Sequence, residues 1–226
     1  MTRHRILFLA ANPSKGSGIA LDRECAAIEH ELRLTSHRDD FEFRSKWAVT
    51  VDEMRRHLGE IEPTIIHFSG HGAAPDGSGS SATTRDIVPA GDFTAARSGI
   101  YLLGDDGGPQ LVTARALTMM IKSAAASARI VVLNACYSDS QADAVCSVVD
   151  CVVGMAGAIH DDAARSFAVG FYRALGNRRS LGNAFDQAVA ALAAKGMPDE
   201  VLPRCVARHG IDAYRMTLDP FVADLR

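Results

Sequence analysis

The chain has 226 residues, 47% of them hydrophobic and 23% charged, the make-up of an ordinary globular domain large enough to bury a core without staples. Lys and Arg number 24 against 27 Asp and Glu, a formal net charge of −3, which argues against a nucleic-acid partner because phosphate neutralisation needs a clustered cationic excess. No apolar run approaches the ~20 residues of a membrane span, and the apolar stretch after Met1–Arg5 is too short for a secretory leader, so the sequence reads as one cytoplasmic domain over residues 1–226 with no membrane partner.

In chain order, short apolar runs bounded by turn residues alternate with segments of helical period, the pattern of an α/β domain with a mostly parallel sheet. Ile6–Ala11 is a buried strand. Leu21, Cys25, Ile28 and Leu32 repeat every three or four residues and predict a helix over Leu21–Leu34. Phe41–Trp47 alternates with period two, as a half-covered strand near a sheet edge does. Thr50 and Glu53 form a capping-box pattern for a helix over Val51–Glu60, and Pro63 ends it before a strand at Thr64–Ser69. The tract Ala73–Gly99, rich in Gly, Ser, Thr and Ala, has little apolar surface to offset its ordering entropy and reads as a mobile surface loop.

Ile100–Leu103 and Gln110–Val112 flank a Gly-rich turn and predict a hairpin. Thr113 caps a predicted helix reaching Ala126. Arg129–Asn134 reads as a central strand, Ser140–Val148 as a short helix and Cys151–Met155 as a further strand. Asp161–Leu175 and Ser180–Lys195 are Ala-rich helices, and Arg204–Ala207 is a candidate last strand.

In open parallel sheets ligands bind beyond the carboxyl ends of the strands. Two predicted strands end in chemistry-bearing residues: one runs into Ser69-Gly70-His71-Gly72, the other into Asn134-Ala135-Cys136-Tyr137. A thiol is mostly protonated at neutral pH, an adjacent imidazole can draw off its proton, and the imidazolium can then protonate a leaving amine. His71 is thus the candidate general base and acid and Cys136 the candidate nucleophile. The backbone amides of Gly72 and Cys136 are candidates for an oxyanion hole. The glycines flanking His71 predict a poorly buried ring.

The other cysteines, Cys25, Cys146, Cys151 and Cys205, lack any Cys-x-x-Cys spacing and read as inert buried thiols. His67, inside a strand, reads as a hydrogen-bonded core group. The remaining histidines show no metal-ligand spacing, and neither a metal nor another cofactor is expected.

The segments Ile65–Gly72 and Val131–Ser138, with Leu7–Pro13, Leu21–Glu24 and Gly154–Leu175, resemble the CHAT family of caspase-like cysteine peptidases of clan CD. The resemblance implies a caspase-like three-layer α/β/α sandwich with a mostly parallel central sheet of about six strands. It implies a cysteine endopeptidase with His71 as base and Cys136 as nucleophile, acting on protein substrates in regulated bacterial proteolysis such as antiphage defence or programmed cell death. Metacaspase-like relatives carry an Asp two residues before the nucleophile to hold a basic P1 side chain, whereas this chain has Asn134, an acceptor without charge. Asp139 and Asp161, each predicted just beyond a strand end, are candidates to supply that charge and equally candidates for helix N-terminal residues. The 73–99 tract, which contains Arg85 and Arg97 and is longer than in many relatives, is a candidate lid, inhibitory flap or processing site, and equally a passive insertion. With no sensor domain in the sequence, activation is expected from an activating protein partner, an upstream protease or self-cleavage. The rival reading is a non-catalytic caspase-like protein-interaction module with a vestigial Cys/His pair.

Overall fold

A computed structural model describes residues 3–13, 20–73 and 98–218. Six strands form one sheet in the order β2-β1-β3-β7-β8-β9. They are β1 (His4–Ala11), β2 (Phe41–Trp47), β3 (Ile65–Gly70), β7 (Ile130–Asn134), β8 (Cys151–Met155) and β9 (Pro203–Ala207). All neighbours run parallel except the β8–β9 pair. A second, three-stranded antiparallel sheet joins β4 (Gly72–Ala73), β5 (Gly99–Leu103) and β6 (Pro109–Thr113). The predicted hairpin is therefore present, and the two-residue strand β4 that extends it was not visible in the sequence pattern. The rest of the 73–99 tract, with Arg85 and Arg97, lies outside the described residues.

Helices cover both faces of the large sheet. One face carries α1 (Leu21–Leu34), α5 (Asp161–Gly176) and α6 (Leu181–Ala194), and the other carries α2 (Val51–Ile61), α3 (Ala114–Ala124) and α4 (Ala142–Cys146). The two-residue side-chain period of a strand divides each strand between them. On β1, Ile6, Phe8 and Ala10 face α1 and α5, while Leu7, Leu9 and Ala11 face α2 and α3. The same parity sends Ile65 of β3 and Ile130 and Val132 of β7 to the first face, and Ile66, Phe68, Val131 and Leu133 to the second.

Local chemistry sets the ends of the elements. The capping box of α2 is complete: the Glu53 amide donates to Thr50 Oγ1, and the Thr50 amide donates to the Glu53 carboxylate at 2.9 Å. Instead of one helix over Ser140–Val148, the chain after β7 makes a 3-10 turn at Ser138–Gln141 and then α4. The Ser138 hydroxyl explains the early start, donating to the Leu133 carbonyl at 2.7 Å and accepting from the Met155 amide at 3.0 Å, which staples the turn between β7 and β8. Among the described residues no helix is long and apolar enough to cross a membrane.

Candidate active site

β3 and β7 are parallel neighbours in a register that pairs Ser69 with Asn134. Each strand then leaves the sheet within two residues, so the segments carrying His71 and Cys136 emerge side by side from one rim. The contact is tight: a Cβ on Gly72 would collide with the Cys136 carbonyl, and one on Gly70 would collide with the Ala11 carbonyl. Only glycine permits either approach. His71 and Cys136 both line a cleft of about 50 Å³ whose other walls include Glu24, Asn134, Ile159 and Asp161.

The close fit of Gly70 and Gly72 corrects one expectation. His71 is 8% exposed, not open, and the glycines on either side of it let the Ala11 and Cys136 backbone come close to the segment that carries it. Its Nε2 lies 3.2 Å from Asn12 Oδ1, a bond that requires Nε2 to carry the hydrogen and leaves Nδ1 as the basic nitrogen. Burial lowers the pKa of His71, against a smaller opposing pull from Asp161. Burial likewise raises the Cys136 thiol, opposed by a hydrogen bond from the Ile159 backbone. Both shifts favour the uncharged forms, a thiol and a neutral imidazole.

The turn after Cys136 is backbone-specified. Tyr137 has φ of 57°, the left-handed region that non-glycine residues seldom occupy, and its amide donates to the Gly157 carbonyl at 3.1 Å. This reverses the chain directly behind the sulfur and holds Cys136 at the rim. His71 accepts through its carbonyl from the Tyr101 amide at 2.9 Å, which puts Gly72 opposite Ile100 at a non-hydrogen-bonded position of the β4–β5 ladder. The Gly72 amide thus points away from β5.

Beneath the cleft is a buried polar network centred on Glu24 of α1, which is 4% exposed. Its carboxylate accepts from Ser69 Oγ at 2.6 Å and from Asn134 Nδ2 at 2.7 Å, and it sits 2.8 Å from His67 Nε2. The other ring nitrogen of His67 meets the Tyr172 hydroxyl at 3.0 Å, and the ring stacks on Phe8. His67 is the hydrogen-bonded core group its strand position implied. Asn134 Oδ1 is buried with no hydrogen-bond partner among the described residues.

Sequence reasoning passed over Glu24 and Asn12. A signal for Glu24 existed: it falls inside the Leu21–Cys25–Ile28 stripe, where an acidic residue is out of place on an apolar face. Of the three candidates for substrate binding, Asn134 and Asp161 line the cleft. Asp139 packs its backbone under Gly154 and is not among the lining residues. Asp161 is also the first residue of α5 and accepts from the Ala20 amide at 3.1 Å, so it joins the start of α1 to the cleft wall. Cys25, Cys146 and Cys151 are buried as expected, whereas Cys205 is only partly buried.

Residues 11–201 match the CHAT domain family. A Roc-COR-CHAT protease from an unknown prokaryotic organism is 26% identical over 199 residues, which are 87% of this chain but 17% of that protein. The chain therefore spans only a small part of that relative's length. Among solved structures, a secreted C11 cysteine protease from Bacteroides thetaiotaomicron in complex with an irreversible peptide inhibitor superposes with a TM-score of 0.60 at 13% identity, covering 92% of this chain and 67% of that one. The Drosophila initiator caspase Dronc gives 0.54 at 8% identity, covering 94% and 81%. At such identities the likeness establishes the fold, a caspase-like α/β/α sandwich around a mostly parallel six-stranded sheet.

Proposed function

This chain belongs to the CHAT domain family, and from that premise we propose that it is a cysteine endopeptidase whose nucleophile is Cys136 and whose general base and acid is His71. The observation that carries the proposal is that one imidazole and one thiol, delivered by adjacent parallel strands, line a single cleft. Nδ1 of His71 takes the thiol proton as sulfur attacks the peptide carbonyl, and the imidazolium returns it to the departing amine. Water then cleaves the acyl-thioester with the same nitrogen as base. Asn12 positions the ring by holding Nε2–H. The amides of Gly72 and Cys136 receive the developing oxyanion.

Charge directs the substrate reading. Glu24 and Asp161 line the cleft with no Lys or Arg among the described lining residues, and Asn134 offers a buried acceptor that lacks a donor. A cationic P1 side chain supplies the missing donor and the missing charge together. Asn134, Asp161 and Glu24 thus form the proposed P1 site, and Asp139 is left out of it. The biological setting proposed is regulated bacterial proteolysis in defence or programmed death. Control is proposed to come from an activating protein partner or an upstream protease; the relative's name, Roc-COR-CHAT protease, supports only the association of such a domain with other modules.

The rival reading is a caspase-like interaction module with an idle dyad. Peptide panels with Arg, Lys, Leu or Asp at P1, assayed with wild type and Cys136→Ala, separate the two. Cleavage by wild type that falls by about 10⁴-fold or more in the mutant, with an unchanged melting temperature, supports the peptidase. Cleavage that survives the mutation refutes the dyad. Absence of cleavage, with no selective alkylation of Cys136 over the other thiols, supports the module.

A further inference from the structure

Cys151 begins β8, at the end of that strand opposite the cleft, and Cys205 lies on the neighbouring edge strand β9. The antiparallel register pairs Cys151 with Ala207 and Val153 with Cys205, so the two cysteines are diagonal neighbours. Both side chains face α5 and α6, and their sulfurs are 3.3 Å apart. Cys151 is wholly buried, while Cys205 is partly open to solvent. We propose that Cys151 and Cys205 are an oxidation-sensitive dithiol that closes to a disulfide under hydrogen peroxide, locking the edge strand β9 to β8.

The assignment of roles follows from exposure. Cys205 is the more exposed of the two residues, and the Cys151 S–H beside it lowers the Cys205 pKa. The same contact, with burial, raises the Cys151 thiol and keeps it protonated until it reacts. The Cys205 thiolate attacks one peroxide oxygen, the O–O bond breaks, and the departing hydroxide takes up a proton to leave as water. That produces a sulfenic acid on Cys205. The Cys151 sulfur then attacks the sulfenic sulfur, and the displaced hydroxide leaves as a second water with the Cys151 proton. Two thiols are oxidised and one peroxide is reduced. Cys146 is not a competing partner. It packs on the opposite face of the sheet, with its Sγ 3.3 Å from the Val206 carbonyl oxygen.

The bond has a consequence beyond its own site. Three residues before Cys205, the Leu202 carbonyl accepts from the Ala156 amide at 2.8 Å. In the turn preceding it, the Asp199 carboxylate accepts from the His160 amide at 3.0 Å and meets its ring Nδ1 at 2.9 Å. Those contacts hold the segment that bears Ile159 and Asp161 of the cleft wall. A crosslink at Cys205 restrains the strand on which that segment hangs.

The test uses Cys136→Ala protein, so that the cleft thiol does not react, treated with hydrogen peroxide and then alkylated under denaturing conditions. Peptide mapping without reductant is expected to show one Cys151–Cys205 crosslink, lighter than the reduced peptides by two hydrogens and released by dithiothreitol. Cys205→Ser in the same background is expected to abolish it. Exchange of the Ala156 amide is expected to slow in the oxidised protein. A Cys205 sulfinic acid with Cys151 still alkylated, or a bond from Cys205 to Cys146, overturns the dithiol. A crosslink that leaves Ala156 exchange unchanged overturns the lock. None of these readouts depends on peptidase activity, so the inference stands or falls apart from the proposed function.

Discussion

The two faces of the large sheet are built from the same strands and filled very differently. The face toward α2, α3 and α4 carries a broad apolar cluster, with Leu7, Leu9, Leu58, Ile66, Phe68, Ile121, Val131 and Leu133 all fully or almost fully buried. The face toward α1 and α5 has an apolar floor at Ile6, Phe8 and Ile65, and then a polar layer of Glu24, His67, Ser69, Asn134 and Tyr172. Strand parity explains why the polar layer leads to the cleft. Residues 65, 67 and 69 of β3 and residues 130, 132 and 134 of β7 share one alternation, and the segments that leave these two strand ends carry the proposed catalytic residues. One face is a packing device; the other grades from core into chemistry.

Removing a side chain from each face makes that contrast measurable. Leu58→Ala opens a void in the apolar face and is expected to cost about 2–5 kcal/mol of stability, read from denaturant midpoints. Turnover per folded molecule should be unchanged, and a selective loss of turnover would break the division of labour between the faces. Glu24→Gln keeps the volume of the polar face but turns an acceptor oxygen into an amide donor facing Ser69, Asn134 or His67. The stability cost expected is smaller, about 1–3 kcal/mol for a donor left without an acceptor. Its signature lies elsewhere: kcat/KM for an Arg P1 peptide should drop by roughly 10–100-fold while an uncharged P1 peptide is little affected. An equal loss on both peptides would make Glu24 purely structural.

How much of this was legible depended on whether a signal was local. The α1 stripe, the Thr50/Glu53 capping box and the β7 run each follow from residues within one turn or one strand, and the structure places them where the pattern did. The juxtaposition of His71 and Cys136 was legible too, because a parallel pairing of their strands is enough to bring both to one rim. The Glu24 network was not, since its donors come from β3 and β7 and no local pattern records such a meeting. The burial of His71 failed for a related reason. Glycine neighbours were read as exposing the ring, but the backbone they admit comes from Ala11 and Cys136, far away in sequence. The Cys151–Cys205 contact likewise needs the antiparallel register of β9, which composition does not encode.

The smallest effect expected is one of pH, and it tests whether burial, not charge, dominates the polar face at its rim. Burial lowers the His71 pKa from an ordinary 6.5, so between that value and its folded pKa the unfolded chain binds a proton that the folded chain refuses. Stability contributed by the neutral ring is therefore full above the ordinary histidine value and declines as pH falls through this window. The same shift moves the acid limb of the cleavage profile below the usual histidine range, since the ring must be neutral to accept the thiol proton. Asp161 pulls the other way, because a carboxylate favours the imidazolium. Replacing it, as Asp161→Asn, should move the acid limb further down. The move should be well under what full exposure of the ring would cause in the opposite direction. NMR titration of the ring in wild type and variant gives the ionisation behind the acid limb directly, and an acid limb that rises in the variant would show that Asp161 acts through something other than its charge.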